Sequence, residues 1–199
     1  MGLFDGADKR RSEQLYECTL VVGERFLDDM TSRALLTDFP PMLAMTMRAP
    51  DAAFRLAYVL VASAYTLRAD AKPRALKLLA ASVKEVMGRQ QLASHKRMSD
   101  TMMRSMSAQG HKTLPYMPPT PSEREPMRDL VNLYCKKAEK SIEDIVGRIR
   151  ANQAHPLEPA YGDLVPYFGG PGAPEEYEKR YAELLARLLA EARNAVSAV

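Results

Sequence analysis

The chain contains no tryptophan, two cysteines, three histidines and five phenylalanines in 199 residues. Each scarcity removes a class of explanation. Cys18 and Cys135 are too few and too far apart for a disulfide framework or a cysteine zinc site. Both fall in helical patterns and read as free, mostly buried thiols of a reducing compartment. His95, His111 and His155 form no H-x-x-x-H or E-x-x-H pair, so a helical zinc or di-iron site is not signalled. The glycines from Gly169 to Gly172 precede no Lys-Ser/Thr and follow no strand, which excludes a phosphate loop. No G-x-S-x-G elbow occurs. Glu139 and Glu143 stand one turn apart, but Lys136, Lys140 and Arg148 surround them. A salt-bridged outer face explains them better than a catalytic carboxylate pair. A cysteine nucleophile would need a histidine beside it in space, which no spacing supplies. These absences speak against an enzyme, a metal, a cofactor or a small-molecule substrate.

Two further absences concern location. The first fourteen residues hold no apolar core of signal-peptide length, and Gly6 stands where a myristoylation motif would carry Ser or Thr. A cytoplasmic site of action is the expectation. The longest apolar run, Ala52 to Leu67, holds one charge, Arg55. Its sixteen residues would span about 24 Å as a helix, short of the roughly 30 Å of bilayer hydrocarbon.

That run is the feature around which the rest is arranged. Hydrophobic residues make up 46% of the chain and charged residues 27%, ordinary globular values that rule out a disordered chain. A helix apolar nearly all round belongs inside, enclosed by others. Pro50 and Asp51 supply its start, so a central buried helix is expected over 51–68. Before it, Leu15, Thr19, Val22, Phe26 and Met30 repeat on one face of a helix over 8–36. After it, Pro73 opens a helix in which Leu76, Leu79, Val83 and Met87 share a face. Beyond Gly88 a second apolar face, Leu92, Met98, Met102 and Met106, is rotated from the first. Burying both against one surface would require a kink or break near Gly88, giving helices over 72–87 and 90–108.

Four prolines in Gly110–Pro121 mark a semi-rigid connector. Thr120 and Ser122 begin competing capping-box patterns. Pro126 disfavours helical geometry at Glu125, which sets the next helix at 126–151. Its expected stripe is Leu130, Tyr134, Ala138, Ile142, Ile145 and Ile149. The stretch 155–173 is irregular yet rich in apolar residues, and so should pack onto a helix or a partner. A last helix from Pro174 repeats Tyr177, Tyr181, Leu184, Leu188, Ala192 and Ala195. Packing on the 126–151 helix is expected for it in preference to self-association. The fold class is therefore all-α, with about six helices in two packed parts: 1–112, a linker at 113–122, and 123–199.

Charge is unevenly divided. Residues 1–65 carry seven basic and nine acidic side chains, 113–155 seven and six, and 156–199 four and seven. Residues 66–112 carry ten and three, a local excess of +7. Arg74, Lys77, Lys84, Arg89, Lys96, Arg97 and Arg104 form this basic face. A solvated face explains part of it; contact with an anionic partner explains its concentration. No aromatic residue lies between Tyr65 and Tyr116 to stack on bases, so phosphate or lipid-headgroup contact is favoured over sequence reading.

In architecture and composition (helix only, twelve methionines, no tryptophan, a localised basic face) the chain resembles viral matrix and other shell-forming proteins. The leading expectation is a non-enzymatic structural or assembly protein. It would associate with itself or another protein, and touch an acidic membrane, RNA or DNA with its basic face. A protein-binding adaptor, such as a secretion chaperone or host-factor inhibitor, is the alternative, and an enzyme of unrecognised type is the third. Tyr161, Tyr167, Phe168, Tyr177, Tyr181, Leu184 and Leu188 would be the self-association or partner surface.

Overall fold

The computed structural model describes residues 3–32, 50–109, 118–161 and 175–199, and among them the protein is all helical. Five helices follow in order: α1 (Leu3–Ser32), α2 (Pro50–Thr66), α3 (Pro73–Ala108), α4 (Pro121–Arg150) and α5 (Glu175–Val196). A single 3-10 turn, Glu158–Tyr161, precedes α5.

α2 is the centre, as its all-round apolarity requires. It packs against α1, α4 and α5 and more lightly against α3. Every described side chain from Ala52 to Tyr65 is buried except Arg55, with Leu60 and Val61 fully so. At about 1.5–3 kcal/mol per large apolar side chain, Phe54, Leu56, Leu60, Val61 and Tyr65 contribute on the order of 10 kcal/mol gross. The Tyr65 hydroxyl accepts the Lys72 N–H at 3.1 Å, so its one polar atom does not oppose burial. No helix of the described residues is long and apolar enough to cross a membrane.

α1 presents the expected face as far as Phe26; the side chain of Met30 lies outside the described residues. Leu15, Thr19, Val22 and Phe26 are buried, and Thr19 Oγ1 donates to the Leu15 carbonyl at 2.9 Å. Gly23 lets α1 approach α2 closely: a Cβ there would lie 3.6 Å from Ala57 Cβ.

Three expectations change. First, α3 runs unbroken through Gly88, so the described residues hold five helices, close to the expected number of about six, with one helix where two were expected over 72–108. A break is needed only where both apolar stripes are buried. Ala75, Leu79, Val83 and Met87 are, but beyond Met87 no described α3 side chain is. Of the second stripe Leu92 and Met102 are exposed and Met106 is half-buried, while the side chain of Met98 lies outside the described residues; a stripe that is not buried gives the helix no reason to turn.

Second, α4 begins at Pro121, not Pro126. Glu123 Oε2 accepts from the Thr120 backbone N–H at 2.7 Å and from its hydroxyl at 2.9 Å. This anchors the start, and Pro126 then forfeits a single backbone bond near the helix end. The buried line of α4 is Val131, Ala138, Ile145 and Val146, while Leu130, Tyr134, Ile142 and Ile149 border it. The helix closes on Asn152, whose φ is 52°, with Gln153 N–H bonding the Arg148 carbonyl and Asn152 N–H that of Ile149. That is the left-handed cap, which asparagine tolerates.

Third, α5 packs chiefly on α2 and α1, not on α4. Arg68, just past α2, holds Asp70 with two hydrogen bonds of 2.9 Å and also donates to the Val196 carbonyl at the end of α5. Leu157 and Ala160 carry the segment after α4 into the core, where Ser141 Oγ donates to the Pro159 carbonyl at 3.2 Å. One hydrophobic cluster holds residues of all five helices. The connector residues 110–117 lie outside the described residues.

Candidate functional site

Every residue of the expected basic face lies on α3. Arg74, Lys77, Lys84, Arg89, Lys96, Arg97 and Arg104 are all exposed on one helix of 36 residues, about 54 Å long. Against these seven cations α3 carries two carboxylates, Glu85 and Asp100. Arg89 meets Glu85 at 3.9 Å, a contact between exposed side chains that offsets little of its charge.

The face is not one flat strip. At about 100° per residue, Arg74, Lys77 and Lys84 share one sector, and Arg89, Lys96, Arg97 and Arg104 share another roughly 140° away. The inner three stand over the half of α3 that is packed on the core. The outer four accompany the half that is not.

That outer half is amphipathic, and its apolar side is only partly covered. Leu92 is 42% and Met102 65% exposed, and Met103 and Met106 are half-buried. These four fall within a sector of roughly 100°, which Arg89 and Lys96 border on one side. Leu92 also forms the wall of a groove of about 380 Å³ between α3 and α4, with Met127 and Val131 opposite. Lys84, Arg89, Arg124 and Arg128 rim it. Arg124 Nε donates to the Pro119 carbonyl at 2.9 Å, and Arg128 meets Glu125 at 3.7 Å, so both are steered by their own helix end.

Arg124 and Arg128 were not among the expected site residues. They belong to a stretch whose charges nearly balance, and only the antiparallel packing of α4 on α3 brings them to the basic side. The alternation of apolar and basic sectors beyond Gly88 was visible; that it remains open was not.

The expected partner surface fares differently. Leu184 and Leu188 are 4% and 0% exposed and lie in the core, so α5 spends its apolar face on the fold itself. Tyr167 and Phe168 lie outside the described residues, as do the side chains of Tyr161, Tyr177 and Tyr181. Both cysteines are free and half-buried, and burial raises the thiol pKa of each. Compared with known proteins, the chain matches no family model, no curated protein and no solved structure.

Proposed function

We propose that this is a non-enzymatic helical assembly protein that lays the outer half of α3 on an anionic surface, and that an acidic membrane suits that half better than nucleic acid. One observation carries the reading: beyond Met87 a Leu/Met stripe, exposed at Leu92 and Met102, runs beside Arg89, Lys96, Arg97 and Arg104. Basic side chains alone would serve a phosphate backbone as well as a lipid headgroup. The apolar stripe gains nothing on a phosphate backbone but is stabilised on entering a headgroup layer. Helices of this kind lie in the interface plane without spanning it.

The magnitude is useful. Each basic residue near an anionic leaflet contributes about 1 kcal/mol, so the outer four supply about 4 kcal/mol before any apolar insertion. Reversing Lys96, Arg97 and Arg104 to Glu removes about 3 kcal/mol, a weakening of at least roughly 100-fold. Co-sedimentation with phosphatidylserine-containing vesicles, neutral vesicles and RNA tests this. Loss of binding to the acidic vesicles, with the melting curve preserved, is the expected result. Unchanged binding at low salt overturns the reading, and tighter capture by RNA than by acidic vesicles reassigns the surface.

A second reading has its own observation. The α3–α4 groove, apolar inside and arginine-rimmed, fits the apolar face of an acidic amphipathic helix from a partner protein. An Arg124→Glu, Arg128→Glu chain that still binds vesicles but loses a captured acidic helix would favour it.

A further inference from the structure

A second cavity lies where α2, α3 and α4 meet. Its volume is about 370 Å³, within the usual size of small-ligand sites. Arg55 and Tyr58 enter it from α2, Val83, Lys84 and Met87 from α3, and Tyr134 and Cys135 from α4. Arg55 is the one charge of α2 beyond its first turn, and an odd one. Its guanidinium carbon stands 4.5 Å from the centre of the Tyr134 ring, so one face of the group is occupied by a cation–π contact. Its Nε is buried and has no hydrogen-bond partner. None of the ion pairs among the described residues involves Arg55 or Lys84.

A half-buried guanidinium whose Nε finds no acceptor carries a desolvation cost that nothing in the fold offsets at that atom. The fold could have put an apolar residue at position 55, as it does at nearly every other position of α2. Around the cavity the charges do not cancel: Arg55, Lys84 and Lys136 face one carboxylate, Glu139, a net +2. The remaining walls, Val83, Met87 and Ala138 among them, are apolar. Tyr58 is buried, and burial followed by the nearby Glu139 pushes its pKa up, so the hydroxyl keeps its proton and remains a donor.

We propose that this cavity binds a small amphiphilic organic anion, its carboxylate facing Arg55 and Lys84 and its hydrocarbon body against Val83 and Met87. The anion supplies the counter-charge the fold leaves out, and the apolar walls select against inorganic ions. The site stands apart from the outer face of α3 and does not depend on what that face binds.

Octanoate and 1-octanol, titrated calorimetrically into the full chain, test the assignment. Octanoate should bind saturably and more tightly than the alcohol. Arg55→Met should weaken octanoate at least tenfold and leave the alcohol unchanged. Arg124→Glu with Arg128→Glu, in the neighbouring groove, should alter neither. A second readout needs no change at Arg55: in a Cys18→Ala chain, octanoate should slow maleimide labelling of Cys135, which lines the cavity. Equal affinity for acid and alcohol, octanoate binding indifferent to Arg55→Met, or undiminished labelling of Cys135 would each overturn the proposal.

Discussion

Replacing Gly88 with alanine should make the protein more stable. Gly88 is the sixteenth of the 36 residues of α3 and is helical on both sides. A Cβ built there meets nothing within 4 Å, and the backbone is not in the left-handed region. The substitution therefore adds no clash and removes the flexibility that glycine brings to the unfolded chain. Glycine in a helix interior costs about 0.8–1.0 kcal/mol relative to alanine, and the unfolded-state share alone is about 0.4–1 kcal/mol. A gain of about 0.5–1 kcal/mol corresponds to roughly 1–4 °C in Tm for a chain of this size. Calorimetric melting together with urea unfolding measures it, with the midpoint rising and the slope unchanged. Destabilisation by 0.5 kcal/mol or more (about 1–2 °C) would refute the reasoning, because it would mean that Gly88 holds a geometry alanine cannot adopt. Gly88→Pro is the converse. It removes a mid-helix bond and costs about 3 kcal/mol, and it should uncouple the outer half of α3 from the core.

Leu188→Ala should cost about 2–5 kcal/mol, lowering Tm on the order of 10 °C, because the side chain is fully buried; a loss of self-association with Tm unchanged would return it to a contact surface. Asp70 has its pKa lowered, first by the Arg68 hydrogen bonds, so its stabilising effect is complete above the ordinary carboxylate range near 3.8 and is lost as pH falls through the folded value. Asp70→Asn should therefore be less stable than the wild type in urea at pH 7, and the gap should narrow as pH falls below the ordinary carboxylate range near 3.8. Gly23→Leu should fold poorly while Gly23→Ala is tolerated, since the space against Ala57 admits a methyl group and little more; equal melting curves would show that α1 and α2 do not approach as closely as described.

The helices were largely legible because their causes are local. Nothing but burial explains a run like Ala52–Leu67, and the α1 stripe needed only periodicity to be seen. What was misread depended on partners. The rotated stripe beyond Gly88 demands a break only if it is buried, and periodicity alone does not say whether it is. Pro126 was weighed by its own preference, whereas the Thr120–Glu123 cap a turn and a half earlier decides where α4 starts. The stripe of α5 says that it must be covered; it does not say that α2 and α1 cover it, or that Leu188 therefore has nothing left for a partner. The groove was illegible for the same reason. Arg124 and Arg128 stand far along the chain from Leu92, and charge counted along a sequence cannot register a hairpin of two helices.

The central claim is that the outer half of α3 keeps its apolar stripe exposed at Leu92 and Met102 in the free protein and spends it on an anionic surface. A single environment-sensitive fluorophore at Met102→Cys, in a Cys18→Ala, Cys135→Ala chain, reads this directly. The label should report water in the free protein, then shift to the blue and escape aqueous quenchers when phosphatidylserine vesicles are added, with salt reversing the change. A label at Leu78→Cys, on the core-packed half, should not respond. A Met102 label already shielded without vesicles, or one that acidic vesicles leave untouched while the protein sediments with them, would contradict the account.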